Sequence, residues 1–157
     1  MLSYEHYGYL QGGPLVASLG RTEVARTYMK KALEAAGANA ADRPTSSSAA
    51  ELRGLLIPLG ALDVPPSGLA ESLAELRRGA GLLARNGVTD GTLAIAAHEY
   101  AGRRLTAMGR YTEAIAEHRV ALGIAEQFLT AHPDDHAARR SVLDANAGIA
   151  RARTLAR

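Results

Sequence analysis

The chain contains no cysteine, which excludes disulfides, thiolate zinc sites and cysteine nucleophiles outright. It has no tryptophan and a single phenylalanine, yet 47% of its 157 residues are hydrophobic. An apolar fraction carried largely by alanine suits closely approached helices better than a β-sandwich. No run of eighteen apolar residues occurs, and the opening MLSYEHYGYL lacks both a basic n-region and a continuous apolar h-region. The expectation is therefore a cytoplasmic chain with no membrane partner. Formal net charge is only +2, and the pI near 9.1 exaggerates it because a nearly balanced titration curve is shallow around neutrality. That charge is too small to point to nucleic acid. The length fits one domain or a short stack of repeats.

The usual catalytic and cofactor motifs are missing as well. Gly12-Gly13 and Gly79-Ala-Gly81 complete neither a dinucleotide nor a phosphate-loop fingerprint, and no Gly-Lys-Ser/Thr follows them. No Gly-x-Ser-x-Gly elbow is present, and the serines concentrate at 45–48. These absences predict a protein that is not an enzyme and needs no cofactor.

What is present is a repeat. Sliding the sequence by 89 positions places Gly13 on Gly102, Gly20 on Gly109, Arg21 on Arg110, Ala25 on Ala114, Ala32 on Ala121, Leu33 on Leu122 and Ala36 on Ala125. The matched residues are small ones and one leucine, the types that set how closely helices approach, so the shared property is packing geometry. The stretch 95–129 reads as two helices folded back on each other at Met108-Gly109-Arg110-Tyr111. Its copy reads as a helix over 4–18 and a second from Thr22 to Ala36, with Gly37 as the expected C-cap and 38–47 as a connector. Between the copies, Ser48-Ala-Ala-Glu51 has capping-box spacing and opens a helix through Leu52, Leu55 and Leu56, which Pro58 should bend or end. Leu69 to Arg85 is its partner, with Leu69, Leu73, Leu76, Ala80 and Leu83 as the apolar stripe and Asn86-Gly87 as the stop. The spacing thus implies three helix pairs, about 4–37, 48–87 and 91–132, with a mean period near 44 to 45 residues. Asp134 or Asp135 should cap a terminal helix over about 134–156.

These residues resemble the tetratricopeptide repeat. His98-x-x-Ala101-Gly102-x-x-Leu105 with Ala114-x-x-x-His118-x-x-Ala121, and Tyr9-x-x-Gly12-Gly13-x-x-Val16 with Ala25-x-x-x-Met29-x-x-Ala32, occupy the family's slots. The turns at Gly20-Arg21-Thr22-Glu23 and Gly109-Arg110-Tyr111-Thr112-Glu113 are similar to its Gly-Asp-Tyr-x-Glu turn. Departures are the non-aromatic residues at His98, Leu105, His118, Val16 and Met29, and a period longer than 34 residues. The terminal proline falls at Pro133, seven residues beyond the slot that Glu126 occupies. Two extra turns would extend the second helix to about 31 Å between Tyr111 and Ala131. The spacing is similar to the long-period tetratricopeptide tails of bacterial serine/threonine protein kinases, although no His-Arg-Asp or Asp-Phe-Gly occurs. The resemblance implies an all-α, right-handed superhelix of stacked antiparallel helix pairs, acting as a scaffold for a protein or peptide ligand and belonging to a larger signalling protein. It also implies a concave groove on the first helix of each pair, with Tyr7, Leu10, Glu51, Leu55, Glu99, Arg103 and Thr106 as its candidate contacts.

Other readings compete. His132-Pro-Asp-Asp-His136 gathers two imidazoles and two carboxylates and could recruit a divalent metal, but Pro133 interrupts the i,i+4 geometry that makes a histidine pair bidentate. A helix end followed by an acidic N-cap explains the same residues, and a metal-binding protein or enzyme using His132 and His136 is the alternative. His98 and His118 read as half-buried packing residues. Arg77-Arg78, Arg103-Arg104 and Arg139-Arg140 read as solvated helix faces with acids nearby, among them Glu75, Glu99 and Asp144. Val142, Leu143 and Ile149 on the last helix predict an apolar outer face and self-association through it.

Overall fold

The structure is a computed structural model that describes residues 21–42, 54–55, 57–62, 64–85 and 91–157. Every regular element among them is helical and none is a strand. Helix α1 is Thr22–Asp42, α2 is Leu69–Arg85, α3 is Gly91–Ala107, α4 is Tyr111–Ala131 and α5 is His136–Leu155, with one 3-10 turn at Pro66–Gly68 before α2. Among the described residues, no helix is long and apolar enough to cross a membrane. The expected helix over 4–18, the Ser48–Glu51 capping box and the Asn86-Gly87 stop lie outside them.

Local signals place several boundaries. Between α3 and α4 the chain turns at Gly109, whose φ of +74° is the left-handed conformation that a β-carbon disfavours. There Arg110 N donates to Leu105 O at 2.9 Å and Gly109 N to Thr106 O at 3.1 Å, the paired bonds of a Schellman C-cap. At the start of α5, Asp135 Oδ1 accepts Ala138 N at 2.8 Å and satisfies one orphan donor of the first turn. Helix α1 departs from expectation. It runs through Gly37 to Asp42 because Gly37 is a buried helical residue with no positive φ to stop the turn, so 38–42 is helix rather than connector. The chain also stays helical past Pro58 through residue 61, with Leu62 N donating to Pro58 O.

Three buried clusters hold these helices. Met29, Leu33 and Ala36 of α1 meet Leu59, Leu62, Leu76, Leu93 and Ala97 in one. A second joins Leu73, Ala101, Leu105, Ala114 and Ala152, and a third Ile95, Ala121, Ala125 and Ala145. Alanine recurs where α3, α4 and α5 cross, and a methyl side chain lets backbones approach closely. Helix α4 packs along both α3 and α5, while α3 also touches α5 directly.

Leu55 is corrected by this packing. It is only 2% exposed and sits with Met29, Leu33 and Leu59, so it is a core residue and not a groove contact. The apolar outer face expected on the last helix is not found either. Ile149 is buried and Val142 packs inward beside Ala145, so the exposed large apolar residues of this helix are Leu143, among Arg139, Arg140 and Asn146, and Leu155 twelve residues on, which do not form one apolar face.

Two polar contacts tie distant elements. Arg104 on α3 donates to Ser72 Oγ of α2 at 3.2 Å, to Gly60 O at 3.1 Å and to Leu62 O. It thereby satisfies carbonyls at the end of the helical segment before α2. Between α1 and α2, Arg26 and Lys30 face Glu71 at 3.2 Å each and Glu75 at 3.6 Å each. Burial pushes the Glu75 carboxyl above its usual range, and the two cations oppose that shift.

Candidate functional site

Glu99, Arg103 and Thr106 share the face of α3 that turns toward α5. Their spacing of four and three residues sets them one above the other while Ala101, Gly102 and Leu105 point into the core. The structure therefore brings these three candidates together and separates Leu55 from them. Tyr7, Leu10 and Glu51 lie outside the described residues.

Each of the three has its own environment. Arg103 is exposed, and its guanidinium carbon stands 5.7 Å from the centre of the Tyr100 ring, within cation–π range. Thr106 donates its hydroxyl to Gly102 O at 2.9 Å, one turn back in the same helix. Glu99 is half-buried, with Oε1 lacking a hydrogen-bond partner among the described residues. Burial raises its pKa, Asp144 of α5 raises it further, and Arg103 opposes both.

Below Arg103 lies a cleft of about 350 Å³ lined by Arg103, Thr106, Ala107, His118, Arg151 and Leu155, so that α3, α4 and α5 all contribute. His118 forms its inner wall. The ring is 2% exposed rather than half-buried, and Nδ1 has no hydrogen-bond partner among the described residues. It fits because both flanking helices carry glycine. A β-carbon at Gly102 would stand 2.6 Å from His118 Nε2, and one at Gly148 would stand 2.5 Å from Cε1, far inside contact distance. Burial lowers the His118 pKa, and the nearby Arg103 charge lowers it again against a smaller opposing effect of Glu117. The imidazole is accordingly neutral at pH 7. His98, by contrast, is half-buried as expected, with Nδ1 at 2.7 Å from Glu117 Oε2, which also accepts from Arg77 through Oε1 at 3.0 Å. Burial opposes ionisation of Glu117, but those two partners outweigh it and hold its pKa below the ordinary carboxylate value.

The basic pairs divide into engaged and unengaged groups. Arg77 and Arg78 pair with Glu117 and Glu34, Arg139 with Asp134, and Arg140 with Asp144, as solvated helix faces do. Arg103 and Arg151 have no carboxylate partner among the described residues. Sequence reasoning missed Arg151, Leu155 and Gly148. Gly148 follows Gly102 by 46 positions, close to the mean period, and that spacing was the available signal.

The His132–His136 segment does not assemble a metal centre. Among the described residues, no three His, Asp or Glu side chains cluster in a way that could hold a metal ion. His132 stacks on Phe128 with ring centres 4.6 Å apart, Asp135 is the N-cap of α5, and Asp134 lies 3.4 Å from Arg139.

In comparison with known proteins, no family model matches the chain, and no curated protein or solved structure matches it significantly.

Proposed function

We propose that this chain is a protein-interaction module of tetratricopeptide type. In this reading its helix pairs stack into a right-handed superhelix, and a peptide or partner segment docks on the face shared by α3 and α5. The observation that carries the reading is the cleft at the α3–α4–α5 junction, where two arginines with no carboxylate partner among the described residues line a recess beside the buried His118. The recess brings these two cations together from different helices, α3 and α5, whereas Arg77, Arg78 and Arg140 each stand beside a carboxylate. The arrangement offers hydrogen-bond donors and a shaped recess with no nucleophile paired to a base, which suits recognition rather than turnover.

Modest contacts of this kind predict micromolar affinity. A partner recovered with the full chain and identified by mass spectrometry should bind Arg103→Glu more weakly by about 1 to 3 kcal/mol while the variant keeps its fold. A partner whose affinity ignores Arg103→Glu would place recognition on another face.

A further inference from the structure

The cleft beneath Arg103 has a more specific chemistry than a generic peptide groove. We infer that it is a subsite for a phosphoryl group carried on the docked partner segment, held by the guanidiniums of Arg103 and Arg151 over the His118 ring. The inference rests on the reading of this face as the docking side.

Charge counting favours a dianion. Arg103 projects from α3 and Arg151 from α5, both line the same recess, and no described carboxylate pairs with either. The acids nearest along these two helices form no ion pair with either arginine: Asp144 lies 3.8 Å from Arg140, and Glu99 is half-buried one turn before Arg103. Of the acids on α4, Glu117 is engaged by His98 and Arg77, and Glu113 by Arg110. Two arginines with no ion-pair partner among the described residues therefore line one cavity. A carboxylate carries one charge and is satisfied by a single bidentate arginine, whereas a phosphate monoester carries about −1.5 to −2 at pH 7 and presents three acceptor oxygens.

The third wall fits the same ligand. His118 is buried and closes the inner side of the recess from α4, so a ligand there meets a fixed ring face rather than open solvent. The ring packs closely on Gly102 and Gly148, so it is already placed before a ligand arrives. Thr106 has its hydroxyl proton committed to Gly102 O, which leaves its oxygen as an acceptor and the arginines as the principal donors. The volume of about 350 Å³ amounts to roughly ten waters of liquid, room for a phosphoryl group together with the atoms that carry it. Leu155 and Ala107 supply apolar surface for those carbon atoms.

The experiment is a titration of the isotopically labelled full chain with inorganic phosphate at constant ionic strength, set against acetate and chloride, following the Arg103 and Arg151 Nε resonances and the His118 imidazole. Phosphate should give saturable shifts at all three residues, with an apparent Kd at least tenfold tighter than acetate, and Arg103→Gln combined with Arg151→Gln should abolish saturation. In a second arm, a blocked tripeptide containing phosphoserine should bind more tightly than inorganic phosphate, and its unphosphorylated form should not bind. Non-saturating shifts, equal affinity for acetate, or an unchanged response in the double variant would overturn the subsite. A tripeptide no tighter than phosphate would overturn the peptide-borne source and leave a free phosphate ester as the ligand. Should the double variant lose its fold, the phosphate-to-acetate ratio of the wild-type chain still decides. Failure of this subsite is separable from failure of the docking face, because a protein partner sensitive to Arg103→Glu could still be found when phosphate does nothing.

Discussion

Gly148→Ala should destabilise the chain, against the ordinary expectation for a glycine inside a helix. Replacing a helical glycine by alanine normally gains about 1 kcal/mol from reduced backbone entropy in the unfolded chain. At this position the new methyl would lie 2.5 Å from His118 Cε1, 2.6 Å from Nε2 and 2.7 Å from Nδ1. The ring has little room to retreat, since it already packs so closely on Gly102 of α3 that an added β-carbon there would overlap the same atoms at 2.6 and 2.7 Å. Overpacking of this kind costs about 1 to 3 kcal/mol, leaving a net loss of up to about 2 kcal/mol. For a chain of this length each kcal/mol lowers the melting midpoint by about 2 to 4 °C. The decisive assay is a double-mutant cycle read by urea denaturation. In a His118→Ala background the obstruction is gone, and Gly148→Ala should turn stabilising by about 1 kcal/mol, a reversal of sign that only contact between the two residues produces. The same effect of Gly148→Ala in both backgrounds would refute the wedge and, with it, the preplacement of His118 in the cleft.

Stability should also fall on mild acidification through His118. Its folded pKa lies below the unfolded value near 6.5, so the unfolded chain binds the proton more readily, and stability present above about pH 6.5 is lost as pH falls toward the folded pKa. Glu75 and Glu99, with raised pKa values, act in the opposite direction in acid, so the check is whether His118→Gln removes part of the loss between pH 7 and 5 that the wild-type chain shows. Arg104→Lys should cost about 2 to 4 kcal/mol in denaturant melts, because a single ammonium cannot span Ser72 Oγ, Gly60 O and Leu62 O together; full tolerance of lysine would show that charge alone matters there. Ala114 is wholly buried where α3 meets α4, so Ala114→Leu should overpack and cost about 1 to 3 kcal/mol, and an unchanged melting curve would contradict the packing described.

Wherever a short-range rule suffices, the sequence alone determined the outcome. The start of α2, the bounds of α4, the turn at Gly109 and the Asp135 cap follow from periodicity, a left-handed glycine and an N-cap carboxylate, each confined to about one helical turn of chain. Grouping Glu99, Arg103 and Thr106 on one face needed only helical spacing. Tertiary structure decided the rest. Gly37 was readable as a C-cap, but packing of α1 keeps it helical and buried, and Leu55 was assigned outward until Met29 and Leu33 covered it. Arg104 looked like half of a solvated basic pair because its partners are 32 to 44 residues away in sequence. The cleft itself depends on His118, Gly148 and Arg151, whose meeting is set by how closely α3, α4 and α5 cross. A one-dimensional pattern records which side of a helix a residue occupies, but the neighbour on that side is fixed only when helices distant in sequence pack together.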